Sequence, residues 1–198
     1  FYEVGYQLGL NGDKYDQDLG NEKLAKYADM YGLNEKSGIE IEESEPQISD
    51  ALSVVSAIGQ GTNNFTTVGL ARYVTAVANS GTCYDLTLLD KVTDTSGNLL
   101  VNYSANVRNT IDMPQSYWDA IHQGMRGVVQ NKKYYQDFGV EVAGKTGTAE
   151  EDKSRPNHGL FVGYAPYDNP EVAMAIRIAN GYSSDYACQL SKQLMTVY

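Results

Sequence analysis

The chain has 198 residues, of which 42% are hydrophobic, and its formal net charge is −10. This length and composition predict one folded domain, and the acidic balance argues against a nucleic-acid partner because no basic field could hold a phosphate backbone. No apolar run reaches the roughly 18 residues of a membrane span, and the first residues, "FYEVGYQLGL", lack the features of a signal peptide. Phe1 lies directly inside a helix-like pattern without a preceding cap, so we expect the chain to be part of a longer polypeptide.

The first half of the chain predicts two helices joined by a loop. Asn21 is predicted to cap a helix that continues to about Tyr31, because apolar residues recur there at helical spacing. The acidic stretch 39–50 is predicted to be a solvated loop. Thr66 or Thr67 is predicted to cap a second helix, "VGLARYVTAVANSG", which is apolar on nearly all sides and should therefore be central to the core.

The middle of the chain predicts a hairpin and a third helix. Two strand-like runs, "YDLTLLDKVTD" and "NLLVNYS", flank the turn Thr95-Ser96-Gly97-Asn98. Pro114 is predicted to open a helix that reaches about Val129.

The last third predicts three strands and a closing helix. The runs "VEVAGKTGTA", "HGLFVGYAP" and "EVAMAIRIAN" are short and separated by polar or turn residues, which favours an antiparallel meander. Ser183 or Ser184 is predicted to cap the final helix, whose apolar residues can pack on that sheet. The predicted fold class is α/β in the broad sense (α+β), with an antiparallel sheet flanked by helices.

The first of these strands contains Lys145-Thr146-Gly147-Thr148. Alternate strand residues share a face, so Thr146 and Thr148 place two hydroxyls side by side, a pair suited to a carboxylate. Glycines at 144 and 147 leave the backbone open to a ligand, and an edge strand can bind an extended peptide as one further strand. Lys145 would supply a positive charge and take part in proton transfer.

A structural interpretation of the same residues stays open. Lys145 could be a protective charge on an ordinary edge strand, with the glycines at a bulge.

The surrounding sequence resembles a known family. Lys145-Thr146-Gly147 resembles the third signature motif of the penicillin-binding proteins and serine β-lactamases, on a strand followed by two strands and a helix. "AIGQGTNNFTTVGLARYVTAVANSG", "KYADMYGLNEKSGIEI" and "HGLFVGYAP" are similar to segments of class B penicillin-binding proteins in the same order. The resemblance covers nearly the whole chain, and it implies that residues 1–198 are the C-terminal portion of one transpeptidase domain.

The resemblance implies a peptidoglycan D,D-transpeptidase that acts on stem peptides ending in D-Ala-D-Ala and is acylated by β-lactam antibiotics. It implies that Thr146, Gly147 and Thr148 bind the substrate, the two threonines through its terminal carboxylate. The Thr148 N–H would form half of an oxyanion hole, and Lys145 would complete the network around the nucleophile. Such an enzyme requires no cofactor and works at the extracytoplasmic face of the bacterial membrane, anchored by a segment that this chain lacks.

Two family motifs are missing. No serine has a lysine three residues later, so the Ser-x-x-Lys nucleophile motif is absent. Ser96-Gly97-Asn98 and Ser104-Ala105-Asn106 match Ser-x-Asn literally, but they fall in or beside the hairpin and are interpreted as turn residues. We expect both genuine motifs to precede residue 1, in an N-terminal remainder that would be a partner of this chain, which alone should be inactive.

A zinc site is a further prediction. In the predicted meander His158 lies beside the end of the last strand, where the final helix begins. Asp185 and Cys188 share one face of that helix, so the three residues could form a structural zinc site with one ligand unfilled. Alternatively, His158 faces solvent, Asp185 interacts with the helix dipole and Cys188 is a small buried residue.

Two other functions stay open. One is a serine β-lactamase or carboxypeptidase of the same superfamily, and the other is a non-catalytic peptide-binding module that retains only the binding strand. The long stretch from residue 1 to the Gly59-Gln60-Gly61 turn favours the transpeptidase.

Overall fold

The computed structural model describes residues 1–198. Its helices and antiparallel strands are mixed along the chain, as predicted for an α+β protein. The helices are α1 (Tyr2–Leu8), α2 (Gln17–Met30), α3 (Ser53–Ser56), α4 (Thr67–Ala78), α5 (Gln115–Gln130), a 3₁₀ helix (Lys133–Tyr135) and α6 (Ser184–Val197). The strands are β1 (Leu10–Asn11), β2 (Lys14–Tyr15), β3 (Thr82–Asp85), β4 (Lys91–Thr93), β5 (Leu99–Asn102), β6 (Asn106–Thr110), β7 (Ala143–Ala149), β8 (His158–Ala165) and β9 (Val172–Ile178).

The three predicted C-terminal strands form one antiparallel sheet in the order β7-β8-β9. Thr146 pairs with Phe161 and Thr148 pairs with Gly159, while Gly159 pairs in turn with Ile178. The prediction of an antiparallel meander is confirmed. Because β7 lies at the end of this order, its outer edge has no partner strand within the chain.

Helices cover both faces of the sheet. Phe161 is fully buried in a cluster with Ala187 and Cys188 of α6. Tyr164, three residues further along β8, points to the other face, where it packs with Val74 and Ala78 of α4. Since burying one such side chain contributes roughly 1.5–3 kcal/mol, these two layers fix the sheet between α6 and α4.

Helix α5 lies along β7 and is tied to the chain just before that strand. Arg126 Nη1 donates to the Val142 carbonyl at 3.2 Å, and Nη2 donates to Glu141 Oε1 at 2.6 Å. The start of the motif strand is therefore held by an ion pair and a backbone contact.

A buried arginine joins the N-terminal third to the core. Arg72 of α4 is 1% exposed and donates to the carbonyls of Gly32 and Glu35, just after α2. Gly32 has φ +70, which favours glycine, and a Cβ there would lie 2.8 Å from the guanidinium.

Two local predictions are wrong. Helix α2 begins at Gln17 rather than near Asn21, because the Asp16 carboxylate accepts from the N–H groups of Asp18 and Leu19. The run "YDLTLLDKVTD" is divided between two pairings: β3 pairs with β6, and only β4 pairs with β5 in the predicted hairpin. No helix combines the length and apolarity needed to cross a bilayer.

Candidate functional site

The free edge of β7 is the candidate binding surface. Thr146 is half-buried and Thr148 is exposed. Thr146 pairs with Phe161, which packs against α6, so Thr146 faces α6, and Thr148, two residues further along the strand, faces the same way. The predicted side-by-side arrangement of the two hydroxyls therefore exists in the strand.

Lys145 lies on the other face and is exposed. Its Nζ reaches the strand edge and donates to the Thr146 carbonyl at 2.5 Å. A cationic group therefore lies at the edge of the strand that carries the two threonines, and no ion pair includes it. This combination of an ammonium without an acidic partner and two hydroxyls on one strand suits an anionic ligand group.

The two glycines of the motif differ in their surroundings. A Cβ on Gly147 would meet nothing closer than Leu160 Cβ at 3.5 Å, so this glycine leaves space along the strand. A Cβ on Gly144 would lie 2.6 Å from Phe161 Cε2. Gly144 is thus required by packing, and its predicted role in ligand approach is not needed to explain it.

The exit of the strand is tied down by residues that sequence reasoning did not assign to the binding strand. Glu151 Oε2 accepts from His158 Nε2 at 2.6 Å, and that contact holds the pKa of Glu151 below its ordinary value. Arg177 Nη2 lies 3.1 Å from the same ring nitrogen. The sequence alone gives little indication of this arrangement, because the contact depends on the path of the loop between β7 and β8, which local patterns do not predict.

The three predicted zinc ligands are not gathered into one site. Asp185 Oδ1 accepts from Lys132 Nζ at 2.7 Å and from the Tyr134 hydroxyl at 3.0 Å, while both ring nitrogens of His158 are already hydrogen-bonded. Cys188 is fully buried, and burial raises the pKa of its thiol, which opposes the thiolate that a metal needs. No group of three His, Cys, Asp or Glu residues could hold a metal ion. In this structure the three residues are therefore engaged in other contacts.

The two cysteines, the second histidine and the Ser96-Gly97-Asn98 stretch have structural surroundings. Cys83 and Cys188 are both free and buried. The His122 ring nitrogen Nε2 contacts the Val77 carbonyl at 2.7 Å. Ser96 and Asn98 donate their N–H groups to the Asp94 carboxylate, which makes them turn residues, as predicted.

Comparison with known proteins gives one consistent result. The family model described as penicillin binding protein transpeptidase domain matches residues 13–196. The chain is 27% identical over 204 residues to penicillin-binding protein 2B of Streptococcus pneumoniae serotype 2, covering 88% of this chain and 30% of that protein. It is 27% identical over 237 residues to peptidoglycan D,D-transpeptidase MrdA of Haemophilus influenzae, covering 100% of this chain and 34% of that protein. The chain therefore spans about a third of the length of these curated relatives.

A solved structure shows the same fold. Penicillin-binding protein A of M. tuberculosis, in a ceftriaxone acyl-enzyme complex, superposes with a TM-score of 0.80 at 20% identity. The match covers 90% of this chain and 43% of that one.

Proposed function

We propose, from the premise that this chain belongs to the penicillin-binding protein transpeptidase family, that it supplies the substrate-binding strand of a serine-type peptidoglycan D,D-transpeptidase. The observation that carries the proposal is the unpaired edge of β7, with Thr146 and Thr148 on one face and the Lys145 ammonium at the edge. Peptidoglycan stem peptides and β-lactams are the proposed ligands, since both present a carboxylate close to a reactive carbonyl.

The proposed chemistry is acyl transfer in two steps. A serine from the N-terminal remainder of the protein attacks the carbonyl of the penultimate D-Ala, and the terminal D-Ala leaves as an amine that takes up a proton. An amine of a second stem peptide then attacks the acyl-serine ester and releases the serine. The acyl group passes between oxygen and nitrogen nucleophiles, so no cofactor enters these steps.

Each motif residue has a role in that scheme. Thr146 and Thr148 hold the carboxylate of the acyl donor, and Gly147 lets its backbone approach the strand. The Thr148 N–H donates to the oxyanion that develops in the tetrahedral intermediate, where such a donor contributes roughly 3–4 kcal/mol. Lys145 stabilises negative charge and assists proton transfer near the serine.

The same scheme proposes where the enzyme works. Because its substrate is cell-wall peptidoglycan, the complete protein would act at the extracytoplasmic face of the bacterial membrane, anchored by a segment outside this chain. The zinc prediction is not part of the scheme, and elemental analysis tests it. Zinc that is lost in Cys188→Ala would support it, whereas no zinc, or zinc unaffected by that change, would end it.

Fluorescent-penicillin labelling tests the proposal. The chain alone should remain unlabelled, whereas the chain extended by the segment that precedes residue 1 should be labelled covalently. Labelling of the isolated chain would show that its nucleophile lies within residues 1–198. Labelling of neither would favour the binding module, and rapid hydrolysis of the label by the extended protein would favour a β-lactamase.

A further inference from the structure

The His158 ring joins two segments at the Thr148 end of the sheet. His158 is the first residue of β8 and is 7% exposed. Its Nδ1 accepts the Asn180 N–H at 3.0 Å, so a neutral ring carries its proton on Nε2 and donates it to Glu151 at 2.6 Å. One side chain thereby links the loop after β7 to the turn between β9 and α6.

This ring lies one step from the proposed oxyanion donor. His158 pairs with Ala149, and the next pair along the ladder is Thr148 with Gly159. Glu151, which accepts the hydrogen bond from Nε2, follows Thr148 by three residues. The residues just after Thr148 are therefore joined to the start of β8 through this contact.

The other partner of the ring is a turn that needs support. Asn180 has φ +51 and Tyr182 has φ +62, a conformation that costs non-glycine residues on the order of 1 kcal/mol or more. The Tyr182 N–H donates to the Asn157 carbonyl at 3.0 Å, so the turn is bonded to the residue before His158 as well. A Cβ on Gly159 would lie 2.5 Å from the Ser183 carbonyl oxygen, which leaves no gap between this turn and β8.

We propose that His158 is a positioning residue for acyl transfer: by holding Glu151 and the Asn180 N–H on opposite sides of one ring, it fixes the Thr148 end of β7 relative to the sheet. The inference rests on the proposed function, because it acts through the Thr148 N–H and hydroxyl. A shift of about 1 Å in a positioned group can reduce a rate by as much as roughly a hundredfold, so loss of this link should be measurable.

Three substitutions separate the two links of the ring. His158→Phe keeps a ring of similar size but removes both hydrogen bonds. His158→Gln places a side-chain N–H near the former Nε2 and can keep the bond to Glu151. His158→Asn places an oxygen near the former Nδ1 and can keep the bond from Asn180.

His122→Phe is the matched control. His122, the other histidine of the chain, is half-buried on α5 and also bonds through Nε2, to the Val77 carbonyl at 2.7 Å. It packs against Tyr164, five residues along β8 from Gly159, so the same chemical change is made away from the strand exit.

The experiment measures the second-order rate constant of acylation by benzylpenicillin in the complete protein, together with amide hydrogen exchange. We expect His158→Phe to lower the rate constant about tenfold or more and to speed exchange in residues 148–152 and 180–183. His158→Gln should stay within about threefold of the unchanged protein, with His158→Asn between Gln and Phe. His122→Phe should leave the rate constant and both segments unchanged.

Several results would overturn the inference. One is a rate constant of acylation in His158→Phe within about threefold of that of the unchanged protein. Another is an equal fall of the rate constant in His158→Phe and His122→Phe. A third is a rate constant in His158→Gln no higher than in His158→Phe. If the unchanged complete protein is not acylated at all, the proposed function fails. The exchange comparison still decides whether His158 holds these two segments.

Discussion

At the scale of single residues, Gly144 and Gly147 show what a motif leaves undecided. The sequence assigned both glycines the same role of exposing backbone to a ligand. The structure separates them, because a Cβ on Gly144 would overlap the ring of buried Phe161, whereas Gly147 has free space beside Leu160. The alternation of Thr146 and Thr148 could be predicted since it follows from strand geometry alone. The Phe161 contact comes from a neighbouring strand and could not.

This difference predicts that the same substitution affects stability at one glycine and acylation at the other. Gly144→Ala should lower the free energy of unfolding by roughly 1–3 kcal/mol through overpacking, and Gly147→Ala should change it by less than about 0.5 kcal/mol. Gly147→Ala should nevertheless slow penicillin acylation, because its methyl group projects from the strand that the ligand must approach. Denaturant unfolding and acylation rates of both variants in the complete protein test this. A stable Gly144→Ala, or a Gly147→Ala with unaltered acylation, would contradict it.

At the scale of elements, helix starts were predictable where a polar side chain directly preceded a periodic apolar segment. Thr66 caps α4 by accepting the Gly69 N–H, and Ser183 caps α6 by accepting the Asp185 N–H at 3.1 Å. The start of α2 was misplaced because its first turn, which Asp16 caps, is polar and carries no apolar periodicity. Strand pairing was predictable only between sequence neighbours, so the pairing of β3 with β6 across the hairpin was missed.

The two serines at the start of α6 allow the cap to be tested. Ser183→Ala should lower the free energy of unfolding by about 1 kcal/mol, because the Asp185 N–H loses its acceptor. The adjacent Ser184→Ala should have an effect below about 0.5 kcal/mol, since Ser184 is the first helical residue and does not cap. Equal effects in denaturant unfolding would mean that both serines cap the helix. A larger effect of Ser184→Ala would mean that Ser184, not Ser183, is the cap.

At the scale of the whole molecule, acidic side chains with stabilised charges make the fold sensitive to acid. Lys132 Nζ, 2.7 Å from Asp185, holds the pKa of that carboxyl below its ordinary value of 3.8, and the Tyr134 hydroxyl adds to the effect. The pKa of each of four further carboxyls is also lowered by local hydrogen bonds: Glu40, Asp94, Glu151 and Asp152.

A lowered pKa in the folded state fixes the sign of the pH dependence. The Lys132–Asp185 pair stabilises the fold above the ordinary pKa of 3.8, and this contribution is lost as the pH falls through the lower folded value. In Asp185→Asn the free energy of unfolding should therefore decrease less steeply as the pH falls below 3.8. The decrease should not disappear, because the other four carboxyls remain. Asp13→Asn, in an exposed turn, is the control and should leave the slope as it is. If the slope of unfolding free energy against pH is the same in Asp185→Asn as in the unchanged protein, the Lys132–Asp185 pair does not contribute to stability, which is common for exposed ion pairs.

The predicted zinc site and the binding strand differ in what local sequence patterns decide. The meander and the position of Lys145-Thr146-Gly147 within it were predicted, because local patterns and the family resemblance agreed. The zinc prediction depended on the directions of the His158, Asp185 and Cys188 side chains. Asp185 is bound instead by Lys132 and Tyr134, and His158 by Glu151. The sequence pattern gave no indication of these three partners.

A comparison of two ligands tests whether Thr148 binds the carboxylate of the acyl donor, the role on which the proposed function depends. Acylation of the complete protein by benzylpenicillin and by its methyl ester is measured by mass spectrometry in the unchanged protein and in Thr148→Val. Thr93→Val, also exposed on a strand, serves as the control. We expect Thr148→Val to slow acylation by the acid roughly tenfold or more, because a hydrogen bond to a charged group is lost, and to leave acylation by the ester nearly unchanged. Equal slowing with acid and ester, or no slowing with either, would contradict the carboxylate-binding role.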